Sequence, residues 1–307
     1  MTSLAIVTYT RAQESLTQEL IDIGNRLHQL DLDVTMEWYS EGTSVLPENI
    51  DFELKHNVVT GTKFRKLTHL LDNKEYDYLL SLDNDIEADF SGLLKLVEKT
   101  IAENHDLSWG RVYSRNVNNI ISSFVQVDKL LSHNIFRPTL WKLNQGVTIP
   151  GQCFMLRLEA FKDQLPKTDT FLDDLSIGLF AAKNKLSYLY LSDAVVYETP
   201  SYSFIGLLKQ RVRWAIGYKQ SLSCNTLTRL DKRLLYMHSF VYHFMPLCHL
   251  SILMILLVIN PVWFVLLLLS TAMFISYANK KLVIYAIAYQ LVFPVFHLRW
   301  LFEFLKR

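Results

Sequence analysis

From residue 239 through residue 279 the chain has no Asp, Glu, Lys or Arg, and after Lys280 and Lys281 the next charge is Arg299. Nothing else restricts the fold as much. An uncharged apolar stretch of this length is a membrane composition, because about 20 apolar residues in a helix cross the core of a bilayer. Asn260 and Pro261 divide it into residues 239–259 and the shorter 262–277, which read as a hairpin of two spans. A third span runs over residues 282–301, with Arg299 near its end, and it also suits a tilted or partly interfacial helix. Lys280 and Lys281 face the cytoplasm under the positive-inside tendency, which places the large N-terminal part there too. Arg299, Lys306 and Arg307 fall on the opposite side and pull against that orientation.

The remainder reads as a water-facing domain. At 307 residues, 50% of them apolar, the chain has enough material for one large core or two. A formal charge of +1 gives no reason to expect nucleic acid as a partner. Cys153, Cys224 and Cys248 lie far apart without a CxxC, so neither a zinc site nor a disulfide framework is indicated, and a reducing compartment suits them. At the N-terminus Arg11 closes a short apolar stretch and polar chain follows, so no export signal is expected for this domain.

Periodicity orders the elements. LAIVTY is a buried strand, and residues 13–30 have helical spacing through Leu16, Leu20, Ile23, Leu27 and Leu30. LDVTMEWY is a strand ending in the turn-rich SEGTS. A helix over TKFRKLTHLLDNK, a strand over YDYLLSL and a helix over FSGLLKLVEKTIAEN follow. This alternation predicts a parallel sheet with helices on both faces, whose ligand site lies at the carboxyl ends of the strands. Beyond residue 110 the pattern loosens: GRVYSRNVNNIISSFVQVD suits strand then helix, GQCFMLR a strand, DDLSIGLFAAKNK a helix and LSYLYLSDAVVYE a strand. HNIFRPTLWKLNQG reads as a loop.

Four constellations carry chemistry, each with a plainer reading beside it. In DYLLSLDNDIEADF, Asp83 and Asp85 flank Asn84 at a strand end, where two carboxylates suit a hard divalent cation shared with phosphates; they equally suit a solvated turn. Glu87 and Asp89 read as solvated or helix-capping. Asp173 and Asp174 precede a helix, where one could act as a general base or simply cap the helix. SFIGLLKQRVRWAIGYKQS is a basic amphipathic helix that should lie in a membrane interface; Arg213 either meets headgroups or stabilises a leaving diphosphate, with Gln210 one turn earlier. Gly61 and Lys63 open a helix where N–H groups and a cation could meet a phosphate. P-loop, GxGxxG, HExxH and GxSxG motifs are all absent, and the nine histidines form no ligand-spaced pair.

Taken in order, DND, GQCFMLR, DDLSIG and QRVRW resemble the membrane-bound branch of the family 2 glycosyltransferases, the GT-A-fold enzymes that include cellulose, chitin and hyaluronan synthases and ceramide glucosyltransferases. The similarity runs from Leu4 to about Lys219, and QRVRW fits the family's QxxRW through Gln210, Arg213 and Trp214. The resemblance implies an α/β GT-A (Rossmann-like) nucleotide-sugar-binding domain with a mixed, mainly parallel sheet over residues 1–200. An interfacial amphipathic segment over 201–236 and a membrane domain of about three transmembrane helices over 237–307 would follow it.

It implies roles as well. Asp83 would contact the nucleotide or metal and Asp85 bind the metal, Mg²⁺ or Mn²⁺. Asp174 would be the base, with Asp173 the alternative because Asp-Asp stands where Glu-Asp is usual. Lys63, Gln210 and Arg213 would hold the donor diphosphate, and Trp214, Gly151 and Gln152 the acceptor end. VTYTRAQES and WYSEGTS depart from the family's usual strand ends, so Thr8, Tyr9, Glu37 and Glu41 are candidates for recognising the base.

The implied activity is inverting transfer of a hexose from a nucleotide diphosphate sugar, expected to be a UDP-sugar. The acceptor would be a membrane lipid or lipid-linked saccharide, in cell-envelope glycoconjugate or polysaccharide biosynthesis. The protein would be a multi-pass cell-membrane protein with its catalytic domain facing the cytoplasm. One alternative is a processive synthase with export, for which three helices are too few without an oligomer or partner. The other is a non-catalytic nucleotide-binding or scaffold protein.

Overall fold

A computed structural model of the chain describes residues 1–11, 14–42, 47, 50–73, 76–162, 165, 172–223 and 227–306. Cys224, Arg307, the turn residues Thr43 and Ser44, and the Thr170-Phe171 lead-in to the acidic pair lie outside them. The first elements are β1 (Thr2–Tyr9), α1 (Gln18–His28), β2 (Leu32–Ser40), β3 (Glu53–Val58), α2 (Lys63–Asn73), β4 (Tyr78–Asp83), β5 (Ile86–Ala88), α3 (Phe90–Ala102) and β6 (Leu107–Ser114). Then come α4 (Ile120–Leu131), a π-helical turn (Ser132–Phe136), α5 (Arg137–Lys142), β7 (Cys153–Arg157), α6 (Leu158–Phe161), α7 (Asp173–Asn184) and β8 (Tyr188–Glu198). The chain continues through α8 (Phe204–Leu222), α9 (Arg229–Ser239), a π-helical turn (Phe240–Phe244), α10 (Met245–Ile259), α11 (Pro261–Ile275), α12 (Val283–Val292) and α13 (Pro294–Leu305).

Two compact units result, Met1–Val112 with Thr148–Glu198, and Tyr113–Val147 with Thr199–Arg307. Residues 113–147 thus group with the C-terminal part, an arrangement that a linear division at 200 and 236 does not contain.

The first unit holds an eight-stranded sheet in the order β3-β2-β1-β4-β7-β6-β8-β5. β1 pairs in parallel with β2 and β4, and β2 with β3. β7 runs antiparallel to β4 and β6, and β5 antiparallel to β8. The sheet is mixed, as expected of the GT-A domain, but not mainly parallel: parallel pairing describes the β3-to-β4 half only. Helix–strand alternation supplies right-handed parallel crossovers, and it ends at α3; the later strands enter without that crossover rhythm. β3 and β5 were not expected. ELKHNV is polar and half-buried, without the alternation that marks a strand, and β5 is too short for a period to register.

Alternation also divides the residues between the two faces of the sheet. Leu4 and Ile6 of β1, Met36 and Trp38 of β2, and Leu80 and Leu82 of β4 join one apolar cluster with Leu20, Ile23 and Leu27 of α1 and Leu93, Leu96 and Val97 of α3. Asp89 caps α3, its side chain accepting from the Gly92 N–H at 3.1 Å, as its position in the sequence suggested.

In the second unit, Phe124, Val127 and Leu130 of α4 pack in one cluster with Leu207 of α8, Ala272 of α11, and Tyr289 and Phe293 of the α12–α13 run. The stretch expected as a loop, HNIFRPTLWKLNQG, is instead mostly helical, through the π-helical turn and α5; Pro138 lies within this continuous run directly after the π-helical turn, where the Arg137 N–H bonds the Ser132 carbonyl five residues back. Two helical runs are long and apolar enough, by length and composition, to cross a membrane: Arg229–Ile259 and Lys280–Leu305. The expected span 239–259 is the C-terminal part of the first run. The expected span 262–277 corresponds to α11, whose 15 residues reach about 22 Å at 1.5 Å per residue, short of the roughly 30 Å apolar core. The apolar helices share a polar clamp: Gln290 Nε2 donates to the Leu268 and Ala286 carbonyls at 3.0 Å, and its Oε1 accepts from His249 Nε2 at 2.8 Å.

Candidate active site

The carboxyl ends of β1 and β4 present Tyr9 and Asp83, which are register partners, on the face opposite Leu80 and Leu82. α2 begins with Lys63, two residues after Gly61, whose φ of +117° is accessible to glycine without strain. The Lys63 ammonium donates to Asp83 Oδ1 at 2.7 Å and to the Gly151 carbonyl at 2.5 Å, and lies 3.5 Å from Asp173 Oδ2. It also stands 5.0 Å from the centroid of the Tyr9 ring and 5.6 Å from that of Phe154. Four sequence-predicted segments, TGTK, DND, GQC and DD, thus converge on one nitrogen.

Electrostatics follow from that arrangement. Burial by itself would lower the Lys63 pKa, but Asp83 and Asp173 outweigh it and hold the ammonium above the ordinary lysine range. Burial raises the Asp173 carboxyl above its ordinary value; Lys63 opposes the rise and the Asp83 charge adds to it. The Tyr9 hydroxyl is likewise raised by burial. The Tyr9 and Ser81 hydroxyls are both buried and within reach of each other, and Lys63 and Ser81 act against the rise at Tyr9.

Asn84 and Asp85 form the turn between β4 and β5. Asn84 is more than a spacer. Its side chain accepts from the Thr17 N–H at 3.2 Å and donates to the Ser15 carbonyl at 3.1 Å, and its own carbonyl accepts from the Thr17 hydroxyl at 3.1 Å. The turn is thereby tied to the segment that enters α1. Asp85 is exposed at its tip, and so is Glu87 in β5.

The GQC segment contributes backbone. The Gln152 carbonyl accepts from the Asp83 N–H at 3.0 Å, while its side-chain amide donates to Glu198. A methyl group on Gly151 would sit 3.7 Å from Asp174 Cβ, so the two residues are neighbours. Asp173 and Asp174 open α7, and Asp174 Oδ1 accepts from the Leu175 N–H at 2.9 Å. Asp173 turns inward to Lys63 and Asp174 is half-buried.

The candidates for base recognition separate. Thr8 is buried on the Leu4 and Ile6 face, because adjacent residues in a strand point oppositely, so it does not share the side of Tyr9. Glu37 is fully buried and accepts from Asn57 Nδ2 at 2.6 Å and Tyr76 OH at 2.7 Å, which gives it a structural place in the first unit. Glu41 lies beyond β2 and pairs with Lys66 at 3.5 Å.

Gln210, Arg213 and Trp214 belong to α8 in the second unit. Arg213 is exposed, and Gln210 and Trp214 are half-buried. Sequence reasoning missed Arg211 between them. It is buried, bonds Asp128 of α4 at 2.9 Å, and stacks its guanidinium 4.3 Å from the centroid of the Trp214 ring. Asp128 also accepts from Tyr289 OH at 2.7 Å. Arg211 continues the apolar stripe of Leu207, Leu208 and Ala215; a charge on the buried face of an amphipathic helix is the signal that could have found it.

Among the described residues no three Asp, Glu, His or Cys side chains gather as a metal cage. The expectation that Asp83 and Asp85 both aim at one cation is modified, since Asp83 is committed to the Lys63 ammonium. The donor set still fits a divalent ion held jointly with a ligand's phosphates, because Asp85 presents a carboxylate at the exposed turn and Mg²⁺ commonly takes one or two protein carboxylates with phosphate oxygens.

A family model described as glycosyl transferase family group 2 matches residues 80–277. No curated protein matches the sequence. Among solved structures, the chain is similar to the mannosyltransferase PcManGT from Pyrobaculum calidifontis, in complex with GDP-Man and Mn²⁺, at 11% identity over 98% of this chain and 86% of that one, with a TM-score of 0.50. It is also similar to S. aureus TarS 1-349, at 14% identity, 94% and 90% coverage and a TM-score of 0.47. Glucosyl-3-phosphoglycerate synthase from Mycobacterium tuberculosis, with Mn²⁺, UDP-Glc and phosphoglyceric acid, gives 13% identity, 73% and 81% coverage and a TM-score of 0.48. At such identity the likeness to the mannosyltransferase concerns the fold.

Proposed function

The chain belongs to glycosyl transferase family group 2, and from that premise we propose that it transfers a hexose, with inversion, from a nucleotide diphosphate donor to a hydroxyl of a membrane lipid or lipid-linked saccharide. The observation that carries this reading is the convergence of Lys63, Asp83, Gly151 and Asp173 at the carboxyl ends of β1 and β4. The donor's diphosphate would lie at this end of the sheet, beside Lys63 and Asp85, with a UDP-sugar the expected donor. The mannosyltransferase solved with GDP-Man and Mn²⁺ is in keeping with a nucleotide-sugar donor and a divalent ion.

A divalent ion, Mg²⁺ or Mn²⁺, would when bound neutralise charge on the departing diphosphate. Asp174 would take the acceptor's hydroxyl proton as the acceptor oxygen bonds to the anomeric carbon; the bond from that carbon to the diphosphate breaks, and its electron pair leaves on the phosphate oxygen. Asp173 shares the Lys63 ammonium, so this reading makes it a charge partner rather than the base. Gln210 and Arg213 would attend the diphosphate, and Trp214, Gly151 and Gln152 the acceptor end. The apolar runs Arg229–Ile259 and Lys280–Leu305, which expose Ile255, Val258, Ile284 and Phe302, are in keeping with a second unit embedded in a membrane; a cytoplasmic catalytic domain is the expectation from Lys280 and Lys281 alone.

The test uses the full chain purified in detergent with Mg²⁺ or Mn²⁺, a panel of sugar nucleotides and membrane lipid extract. Nucleotide diphosphate release with a one-sugar lipid product is expected, and Asp174→Asn or Asp85→Asn should each lower turnover by about 100-fold or more. A polymeric product would replace this reading with a processive synthase, and no release with any donor would replace it with a non-catalytic scaffold.

A further inference from the structure

Between the α8 and α13 helices of the second unit lies a shallow, open cleft of about 290 Å³ lined by Ile205, Leu208, Lys209, Val212 and Arg299. Its floor is apolar. Ile205, Leu208 and Val212 follow helical spacing on α8, and beside the cleft Val295, Leu298 and Phe302 of α13 are exposed. Two cations stand in this apolar setting. Lys209 is exposed and has no ion-pair partner among the described residues. Arg299 meets Glu303 through Nη2 at 3.1 Å, and a guanidinium carries five N–H donors, so most of its hydrogen-bonding capacity is left for another anion.

The ligand class follows from these features. An apolar trough with a cation at each side suits a molecule with an apolar chain and a compact anionic head. The volume lies at the small end for ligand pockets, enough for a headgroup and the first part of a chain. Glu303 already pairs with Arg299, so a further anion would meet the donors that this pair leaves over, together with the Lys209 ammonium.

We propose that this cleft binds an anionic membrane phospholipid, its phosphate between Lys209 and Arg299 and its acyl chain along Ile205, Leu208 and Val212. The inference rests on the reading of the second unit as membrane-embedded but requires no sugar transfer. Such a site would brace α8, the helix bearing Gln210, Arg213 and Trp214, against α13.

The experiment measures binding of fluorescent phosphatidylglycerol and of phosphatidylcholine to the full chain in neutral detergent, without a donor. Phosphatidylglycerol should bind about tenfold more tightly than phosphatidylcholine, and the Lys209→Ala/Arg299→Ala double variant should weaken it by about 25-fold, about fivefold per cation. The charge-conserving Lys209→Arg/Arg299→Lys variant should retain the preference and guards against a folding artefact. Equal affinity for the two lipids, a preference that survives in the alanine double variant, or displacement by inorganic phosphate at matched concentration would each overturn the proposal. Because nucleotide diphosphate release is assayed separately, failure here is distinguishable from failure of the glycosyltransferase reading.

Discussion

Lys63 shows how a single side chain organises a site. Its ammonium joins Asp83 and Asp173, residues that would otherwise repel, and anchors the Gly151 carbonyl. Asp173 nevertheless remains raised, chiefly by burial, so its ionisation opposes folding. As pH rises from the ordinary carboxylate value through the raised one, the wild-type protein must ionise a buried group and loses stability, whereas an amide does not. Asp173→Asn should therefore melt with the wild type in acid and above it at neutral pH, a difference that grows across that window; thermal melts from about pH 4 to about pH 8 check it. A second residue-scale contrast lies in α8. Arg211→Met would strand the Asp128 carboxylate and should cost about 3 kcal/mol, while Arg213→Met, at an exposed position, should shift stability by less than about 0.5 kcal/mol and act on turnover instead. Denaturant titration beside the release assay separates the two. Asp83, Asp173, Asp174 and Lys63 were legible as candidates because charge at element ends stands out in a sequence. Asn84's ties to Ser15 and Thr17 were not, since a turn residue carries no sign of its distant partners.

At the scale of elements, α3 and β8 are set against each other by one glycine. A methyl group added at Gly92 would come within 1.8 Å of the Ala194 carbonyl oxygen, so Gly92→Ala cannot be absorbed by a side-chain adjustment. It should destabilise the protein by about 3 kcal/mol or more, measured as a lower denaturation midpoint in detergent. A staple works at the other end of β8: Asp106 accepts from Arg157 Nη2 at 2.5 Å and, through its other oxygen, from the Ser187 N–H and hydroxyl at 2.8 Å, joining β6, β7 and β8. Burial alone would raise the Asp106 pKa, but the Arg157 and Ser187 bonds outweigh it and hold the carboxyl below its ordinary value. The strands β1, β2 and β4 and the helices α1 and α3 were legible from apolar spacing. β3 and β5 were not, being polar or short, and the antiparallel direction of β7 is a matter of pairing that no local window contains.

For the whole molecule, the chain's own periodicity does not say which distant segments make one compact unit. α4 and α5 are interposed between strands of the first unit in sequence, yet Phe124, Val127 and Leu130 find their apolar partners in α8, α11 and the α12–α13 run. The exposed apolar surface of the C-terminal helices belongs to this scale. Ile252, Ile255, Val258, Val262, Trp263, Leu266 and Phe274 face outward, and in water that area would drive aggregation. If a bilayer covers it, as proposed, the protein should stay in the membrane pellet through alkaline carbonate washing and be released by detergent. Recovery in the carbonate supernatant would count against the membrane reading.

By itself the sequence determined the apolar helices, the capped start of α3, the strand that ends in Asp-Asn-Asp and the order of the four motifs, because each is set by spacing or charge within a short window. The tertiary structure alone decided that Lys63 would be shared by Asp83, Gly151 and Asp173. It also decided that Arg211 would be the buried arginine of QRVRW. The physical reason is the same in each case: these outcomes depend on which faces of remote elements meet, and a contact between residues 63 and 151 leaves no mark on the neighbours of either.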